Sequence, residues 1–231
     1  MRRAEMSENR NRRLRLLAVS FFGGLALLGA ACVPPPPPPP PPPGPCTPVI
    51  LEGGHVDAPG IAFEDGAWDI HIHDEDNDIE YESDCASLKV KEEAELTVPA
   101  NPDFSFLGST GDSVWILPQV EDPDLLFLGY ATEEIESGTF VGDEIDWSLV
   151  DVEGPGDFKV YSVGAFGTPT VLFDSAGSLP QVQTIETGEH THANWAFTAE
   201  GDYTVTYAAS GELTSGGVIT SDPVEFTFIV G

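Results

Sequence analysis

Basic side chains are almost absent from most of this 231-residue sequence. Six of the nine lysines and arginines precede residue 32, which leaves three lysines, no arginine and 37 carboxylates in the remainder, a formal net charge of −34. Nucleic acid is excluded as a partner, because binding it depends on a basic patch. Such an acidic surface attracts cations, and it also keeps an extracellular domain soluble.

Cysteine is scarce as well, and its three positions are Cys32, Cys46 and Cys85. If Cys32 carries a lipid, the other two remain as a pair. Exported proteins meet oxidising conditions, so a disulfide between Cys46 and Cys85 is the default expectation, and two free thiols are the alternative. The disulfide would fasten the start of the globular part to the segment around Cys85.

Residues 1–31 are predicted to be a secretory signal peptide. They contain six arginines, then an apolar run over residues 16–31 that ends in small residues directly before Cys32. That order is typical of a signal peptide rather than of a membrane span, and its end resembles a bacterial lipoprotein cleavage site. Lipidation of Cys32 is the favoured interpretation. Ordinary cleavage near Ala31, followed by secretion, is the alternative.

A run of prolines dominates residues 32–47, the predicted lipid anchor and linker. Every residue from 34 to 43 is proline. Proline fixes φ and has no N–H, so the run is expected to form a polyproline II rod of roughly 30 Å. Behind a lipidated cysteine, this rod would hold the following domain away from the membrane.

Long stretches with helical periodicity are missing from residues 48–231, the predicted single domain. Short runs of β-branched and aromatic residues are cut by Gly, Pro and Asp about every 8–12 residues, which predicts an all-β fold, an antiparallel β-sandwich of the immunoglobulin-like class. One helical turn is expected at 133–136. The four tryptophans are expected in the core or at its edge: Trp68, Trp115, Trp147 and Trp195. Strands are predicted at 67–73, 94–98, 113–117, 125–129, 145–152, 158–163, 170–173, 182–187, 203–207 and 224–230.

Histidine is rare, but its five positions are patterned: His55, His71, His73, His190 and His192. Two of the groups are His-x-His, and in an extended chain residues two apart point to the same face. Three or four imidazoles make a tetrahedral Zn²⁺ site. We therefore expect both pairs to meet around one ion, with His55 as a further ligand. The alternative is that the histidines are unrelated and that the second pair caps the turn before Trp195.

Carboxylates close to these histidines are candidates for a supporting role. Asp57, Asp74 or Glu189 would act as a further ligand or orient an imidazole through a hydrogen bond. Zinc is the favoured ion, and manganese and calcium remain alternatives. Residues 74–78 begin like a calcium-binding loop, but Ile79 stands where such a loop has glycine, which favours a hairpin turn.

Sequence features of an enzyme are missing from the chain. There is no nucleophile elbow, no phosphate-binding loop and no indicated pairing of a cysteine with a histidine. A metallohydrolase needs an open metal position and a nearby general base, and nothing in the spacing fixes Glu189 in that role. The sequence therefore predicts a protein that is not an enzyme.

Several motifs along the globular part carry a resemblance to a known family. They are Gly-His-Val-Asp at 54–57, Val-Trp-Ile-Leu-Pro-Gln at 114–119, Phe-Leu-Gly-Tyr-Ala-Thr-Glu-Glu at 127–134, Trp-Ser-Leu-Val-Asp-Val-Glu-Gly-Pro-Gly at 147–156, and His-Thr-His-Ala-Asn-Trp-Ala-Phe-Thr at 190–198. Together they resemble the actinobacterial surface-anchored repeat domain, also called the choice-of-anchor M domain. The resemblance implies an exported domain at the cell surface, often beside a transporter whose binding protein resembles the manganese- and zinc-binding class.

The favoured hypothesis is a surface-tethered, zinc-binding β-domain that works with a metal-uptake transporter. It would lie at the extracellular face of the cell membrane as a lipoprotein, or otherwise be secreted, and would touch the membrane through its lipid anchor only. The alternative is a structural or adhesive surface module that binds a cell-wall glycan or a protein without metal. The sequence leaves the oligomeric state open.

Overall fold

The computed structural model of the protein describes residues 46–231. The predicted signal peptide, the lipidation of Cys32 and nearly all of the proline linker lie outside the described residues.

Strands make up most of the described chain, and the structure has 17 of them within residues 46–231. In chain order they are β1 (Val49–Leu51), β2 (Gly54–Glu64), β3 (Ala67–Asp74), β4 (Ile79–Tyr81), β5 (Ala86–Val90), β6 (Glu95–Thr97), β7 (Ser113–Leu117), β8 (Leu126–Ala131), β9 (Glu144–Glu153), β10 (Phe158–Val163), β11 (Pro169–Asp174), β12 (Gln181–Glu186), β13 (His190–His192), β14 (Asn194–Phe197), β15 (Gly201–Glu212), β16 (Val218–Thr220) and β17 (Val224–Val230).

Helical structure is limited, in the part of the chain that is described, to three short 3₁₀ helices, at Glu92–Ala94, Pro102–Leu107 and Val141–Asp143. No helix among residues 46–231 is long and apolar enough to cross a membrane. The helical turn predicted at 133–136 is wrong. Glu133 and Glu134 lie in a turn in which the Ile135 amide donates to the Thr132 carbonyl at 3.0 Å, and the helix does not continue.

The strands form three sheets. The large sheet has the order β1-β5-β17-β15-β9-β12, with β16 paired to β15. The second sheet has the order β11-β10-β14-β7-β6. The third, β13-β8-β2-β3-β4, contains all five histidines and is called the histidine sheet below. The predicted single-domain β-sandwich is confirmed.

Three strand pairs are parallel, which the expectation of an antiparallel sandwich did not include. They are β1 with β5, β5 with β17, and β2 with β8. Parallel neighbours need a crossover connection. Between β2 and β8 the chain supplies one, because it passes through the large and second sheets before it returns to the histidine sheet.

One hydrophobic core joins the three sheets. Trp147 of β9 and Trp195 of β14 are fully buried, with ring centroids 6.2 Å apart. The Trp195 indole N–H donates to the Leu128 carbonyl of β8 at 3.1 Å and so ties the second sheet to the histidine sheet. Trp115 is buried, and Trp68 stacks on Phe140 at the edge of the core. The prediction for the tryptophans is confirmed.

The motif at 190–198 crosses from one sheet to another. β13 belongs to the histidine sheet, β14 belongs to the second sheet, and only the buried Ala193 separates them. Asn194 fixes the crossing point, because its side-chain amide donates to Gln119 Oε1 at 2.9 Å and its Oδ1 accepts from the Gln119 amide at 3.1 Å. The burial of Trp195 therefore also sets where β13 lies.

A disulfide joins Cys46 to Cys85 and holds β1 against β5. We expect the double variant Cys46→Ser, Cys85→Ala to lose about 4 kcal/mol of unfolding free energy, the loop-closure estimate for a separation of 39 residues. Urea unfolding measures the loss, and wild-type protein under reducing agent should match the variant. A difference below about 1 kcal/mol would contradict the expectation.

Candidate metal centre

Strand register brings chemically active residues side by side on one face of the histidine sheet. In the central strand β2, Asp57 lies opposite His73 of β3 on one side and Gly129 of β8 on the other. Gly129 in turn lies opposite His192 of β13. Residues opposite one another in neighbouring strands project from the same face. A single row therefore crosses four strands from His73 to His192.

A bulge in β2 keeps this face continuous. The register shifts between Asp57 and Gly60: these residues are three positions apart in β2, but their partners in β3, His73 and His71, are two positions apart. Asp57 and Gly60 consequently face the same side of the sheet. Pro59 lies in the bulge, where its missing N–H does not interrupt the ladder.

Four side chains converge over this face: His55, Asp57, His190 and His192. Each offers one ligand atom, and the four atoms lie within 4.8 Å of one another. His190 Nε2 is 3.0 Å from His55 Nε2 and 3.0 Å from Asp57 Oδ1. Metal–ligand bonds of 2.0–2.1 Å in a tetrahedron place ligand atoms about 3.3 Å apart. The separations observed here therefore suit one transition-metal ion.

Gly129 leaves the space that the cluster occupies. A Cβ at this position would overlap Asp57 Oδ1, and it would lie 3.2 Å from both His190 Nε2 and His192 Cε1. Any larger residue would fill the centre of the site. A single sequence offers no signal that distinguishes this glycine from the other 23, and sequence reasoning missed it.

Two imidazoles of the cluster are held in fixed orientations. The His192 ring stacks on Phe127 with centroids 3.5 Å apart and planes 3° from parallel. His190 Nδ1 lies 3.3 Å from Glu133 Oε2, so its Nε2 is directed toward Asp57. A carboxylate on the far nitrogen is the usual partner of a metal-binding histidine, because it fixes the tautomer and the ring orientation.

The segment before β13 is fastened to the end of β8 by Thr132. Its buried hydroxyl donates to the Glu186 carbonyl at 2.8 Å and accepts from the Glu189 amide at 3.1 Å. The Thr132 amide donates to the Glu189 carbonyl at 2.8 Å. Glu189 therefore acts through its main chain, and its carboxylate is in none of the groups of residues 46–231 that could hold a metal ion.

Asp57 is the buried acid of the cluster. It is 0% exposed, and its Oδ1 lies 3.0 Å from His190 Nε2 and 3.9 Å from His55 Nε2. Burial, together with the nearby Glu75 carboxylate, raises the pKa of Asp57 to about 8. A carboxylate buried in this way is stabilised by a cation, because the cation supplies the opposite charge that bulk water would otherwise screen.

Two imidazoles of the cluster, those of His55 and His192, are biased toward their neutral form. Burial, together with the neighbouring His55 and His190, lowers the pKa of His192 to about 4. Burial and His190 also lower the pKa of His55. A neutral imidazole is the form that binds a metal. His55 and His192 are thus in the metal-binding form at neutral pH.

The structure does not bring the two His-x-His pairs to one ion. β2 and β8 lie between β3 and β13, so the pairs are three strand spacings, about 14 Å, apart across the sheet. His55 and Asp57 take the places that were predicted for His71 and His73. His71 is grouped instead with Glu80 and Glu134, and His73 Nδ1 lies 3.0 Å from Glu75 Oε1.

Asp74 has a structural role in the hairpin between β3 and β4. Its carboxylate accepts two hydrogen bonds from the Asn77 side chain, at 3.0 and 2.9 Å, and one from the Asn77 amide at 3.2 Å. The residue lies next to His73 in the strand and so points to the opposite face. The favoured hairpin turn is therefore present, and Asp74 is not part of the four-residue cluster.

A comparison of the chain with protein-family models, with curated proteins and with solved structures finds no match in any of the three. The fold and the cluster define a β-sandwich protein with a candidate metal centre.

The titration of Asp57 predicts how the stability of metal-free protein depends on pH. Its pKa of about 8 in the folded state exceeds the value of 3.8 without burial, so its contribution is lost as pH rises through 8. His192, whose folded pKa is about 4, and His55, whose pKa is also lowered, act in the opposite direction, because above pH 6.5 their unfolded forms still lose protons that the folded forms do not hold. From pH 6.5 to 8 the unfolding free energy should therefore fall by roughly 1 kcal/mol.

Urea unfolding in the presence of a chelator at the two pH values measures this fall. The matched variant is Asp57→Asn, which keeps the shape of the side chain and removes the titration. It should show little change over the same range. An equal fall in Asp57→Asn would assign the pH dependence to other groups.

Proposed function

We propose that this protein is an exported, surface-tethered domain that binds one Zn²⁺ through His55, Asp57, His190 and His192. The observation that carries the proposal is the convergence of three imidazoles on a fully buried carboxylate, with ligand atoms within 4.8 Å of one another. A zinc ion would satisfy all four groups at once.

The ligand set favours zinc over the alternative ions. Three nitrogen ligands and one oxygen suit a transition metal, whereas Ca²⁺ takes six to eight oxygens. Manganese prefers more oxygen ligands than this cluster provides. Four protein ligands fill a tetrahedral coordination sphere and leave no open position for a substrate. The proposed role is therefore binding, without catalysis.

Acidic residues around the cluster support a role in capturing cations. The carboxylates of Glu75, Asp76 and Glu121 lie close enough to raise the pKa of His55 against the effect of its burial. They add to a chain with a formal net charge of −30. A field of this sign concentrates cations near the site and speeds their arrival.

Export and surface attachment rest on the sequence features at the N-terminus and on the family resemblance. The Cys46–Cys85 disulfide is compatible with an oxidising compartment. We propose that Cys32 carries the lipid, that the chain is a choice-of-anchor M domain, and that its partner is a metal-uptake transporter. The domain would capture zinc outside the cell and pass it on.

Removing one imidazole tests the proposed zinc site. His192→Ala should weaken Zn²⁺ binding by at least roughly 100-fold, because it removes a ligand whose ring is already held by Phe127. Isothermal titration of the full-length chain measures the change.

The matched control is Thr191→Ala, in the same strand but on the opposite face, and it should bind zinc as the wild type does. Wild-type protein that binds no zinc would refute the proposed function. Equal zinc affinities of His192→Ala and wild type would show that zinc binds somewhere other than this cluster.

Zinc binding should also release a proton. Asp57, with a pKa of about 8, holds its proton at pH 7 in the metal-free protein and must lose it to bind the ion. We expect close to one proton per zinc at pH 7 and less at pH 9, so that affinity rises with pH up to about 8.

Titrations in two buffers of different ionisation enthalpy count the released protons. Release that does not change between pH 7 and pH 9 would show that Asp57 is already ionised in the metal-free site.

A further inference from the structure

One of the two histidines outside the zinc cluster lies on the same face of the histidine sheet. It is more deeply buried than every residue of the zinc cluster except Asp57. His71 is 3% exposed, and neither of its ring nitrogens has a hydrogen-bond partner among residues 46–231. Buried polar side-chain atoms are nearly always hydrogen-bonded. The exception calls for a partner that the protein itself does not supply.

Two carboxylates approach this imidazole. Glu134 Oε1 lies 3.5 Å from His71 Nε2, too far for a hydrogen bond of ordinary strength. Glu80 of β4 completes the group, and the three ligand atoms lie within 4.8 Å of one another. The group comes from β3, β4 and the turn after β8, so its members are brought together by the fold and not by local sequence.

A glycine again leaves room beneath the ring. A Cβ at Gly60 would lie 2.8 Å from His71 Nε2 and 3.1 Å from its Cδ2. Gly60 of β2 lies opposite His71 of β3 on one side and opposite Ala131 of β8 on the other. This arrangement repeats that of the zinc cluster, in which Gly129 leaves room beneath Asp57 and two imidazoles.

The far nitrogen of the ring also has a carboxylate on its side. Asp69 Oδ1 lies 3.7 Å from His71 Nδ1, while Nε2 points toward Glu134. At this distance Asp69 adds negative charge beside the ring without a hydrogen bond to it. The simpler alternative is an imidazole that packs between Asp69 and Glu134 and binds no ion.

A small cavity of about 150 Å³ opens beside the group. Glu134 and Gly60 line it on this side, and Glu75 and Glu133 line it toward the zinc cluster. Glu133 is the carboxylate on His190 Nδ1. A cation in this cavity would therefore lie beside three carboxylates, those of Glu75, Glu133 and Glu134.

We propose that His71, Glu80 and Glu134 form a second cation site on the histidine sheet, for a divalent transition metal. One imidazole and two carboxylates suit Mn²⁺ or Zn²⁺, and three protein ligands leave positions for water. Because two of its ligands are exposed, this site is weaker than the zinc cluster. The proposal uses none of the zinc ligands and stands or falls independently of the proposed function.

Manganese titration of the full-length chain, loaded beforehand with one equivalent of Zn²⁺, tests the site. The electron paramagnetic resonance signal of free Mn²⁺ falls as the ion binds. We expect the wild type to bind one Mn²⁺ per chain. Glu134→Gln should weaken this binding by at least roughly tenfold, because it removes a charged ligand, and His71→Ala should abolish it.

The matched control is Glu136→Gln, an exposed glutamate of the same loop that belongs to none of the metal-ligating groups of residues 46–231, and it should bind Mn²⁺ as the wild type does. Glu134 is 37% exposed, so its glutamine variant should fold even if His71→Ala does not. An undiminished free-Mn²⁺ signal with wild-type protein, or equal loss of binding in Glu134→Gln and Glu136→Gln, would overturn the proposal.

The two sites can be separated experimentally. His192→Ala, titrated with Mn²⁺ without added zinc, should lack the tight zinc site and still bind one Mn²⁺ per chain, whereas Glu134→Gln should keep the zinc site and lose the manganese site. If zinc binding fails this test and manganese binding passes, the proposed function is wrong and the second site remains.

Discussion

The burial of the Asp57 carboxylate is the constraint on which the site depends. A buried charge is unstable unless an opposite charge accompanies it, and the folded protein has two ways to relieve that instability. It can keep the carboxyl group protonated, or it can place a cation beside it. The three imidazoles around Asp57 make the second solution available. The same burial that weakens the metal-free protein at high pH would therefore strengthen its hold on a metal.

The sheet is built to permit this burial. Asp57 lies in β2, the central strand of the histidine sheet, so both of its neighbours are strands that position side chains at fixed spacing. Gly129 leaves room on one of them, and β13 places two imidazoles on the far side of that glycine. β13 is held in turn by Thr132 and by the crossing into β14, where Trp195 enters the core. Packing of the core and geometry of the site are thus linked through a few residues.

Much of the fold could be predicted from local pattern. Alternation in β15 and β17, where the buried residues at every second position are Tyr, Val, Phe or Ala, identifies both strands. β2 escaped prediction because Ala58-Pro59-Gly60 has the composition of a turn, and the structure uses it as a bulge inside a strand. The parallel strand pairs were not predicted either, because they depend on which distant segments of the chain become neighbours, and this leaves no local sequence pattern.

The site could be predicted only in part. The His-x-His spacing correctly placed two imidazoles of each pair on one face, because that follows from strand geometry alone. It could not say which strands are neighbours. The sheet order puts β2 and β8 between the two pairs, so His55 and Asp57 join His190 and His192 while His71 faces Glu134. Gly129 and Glu133 contribute to the site only because the fold places them beside its ligands, and the sequence alone does not show that placement.

X-ray absorption at the zinc edge, on protein loaded with one equivalent of Zn²⁺, tests the central claim most directly. The account predicts four ligands at about 2.0–2.1 Å, three of them imidazole nitrogens with the outer scattering of histidine rings, and the loss of one imidazole in His192→Ala. A first shell of oxygen atoms without imidazole scattering would contradict it.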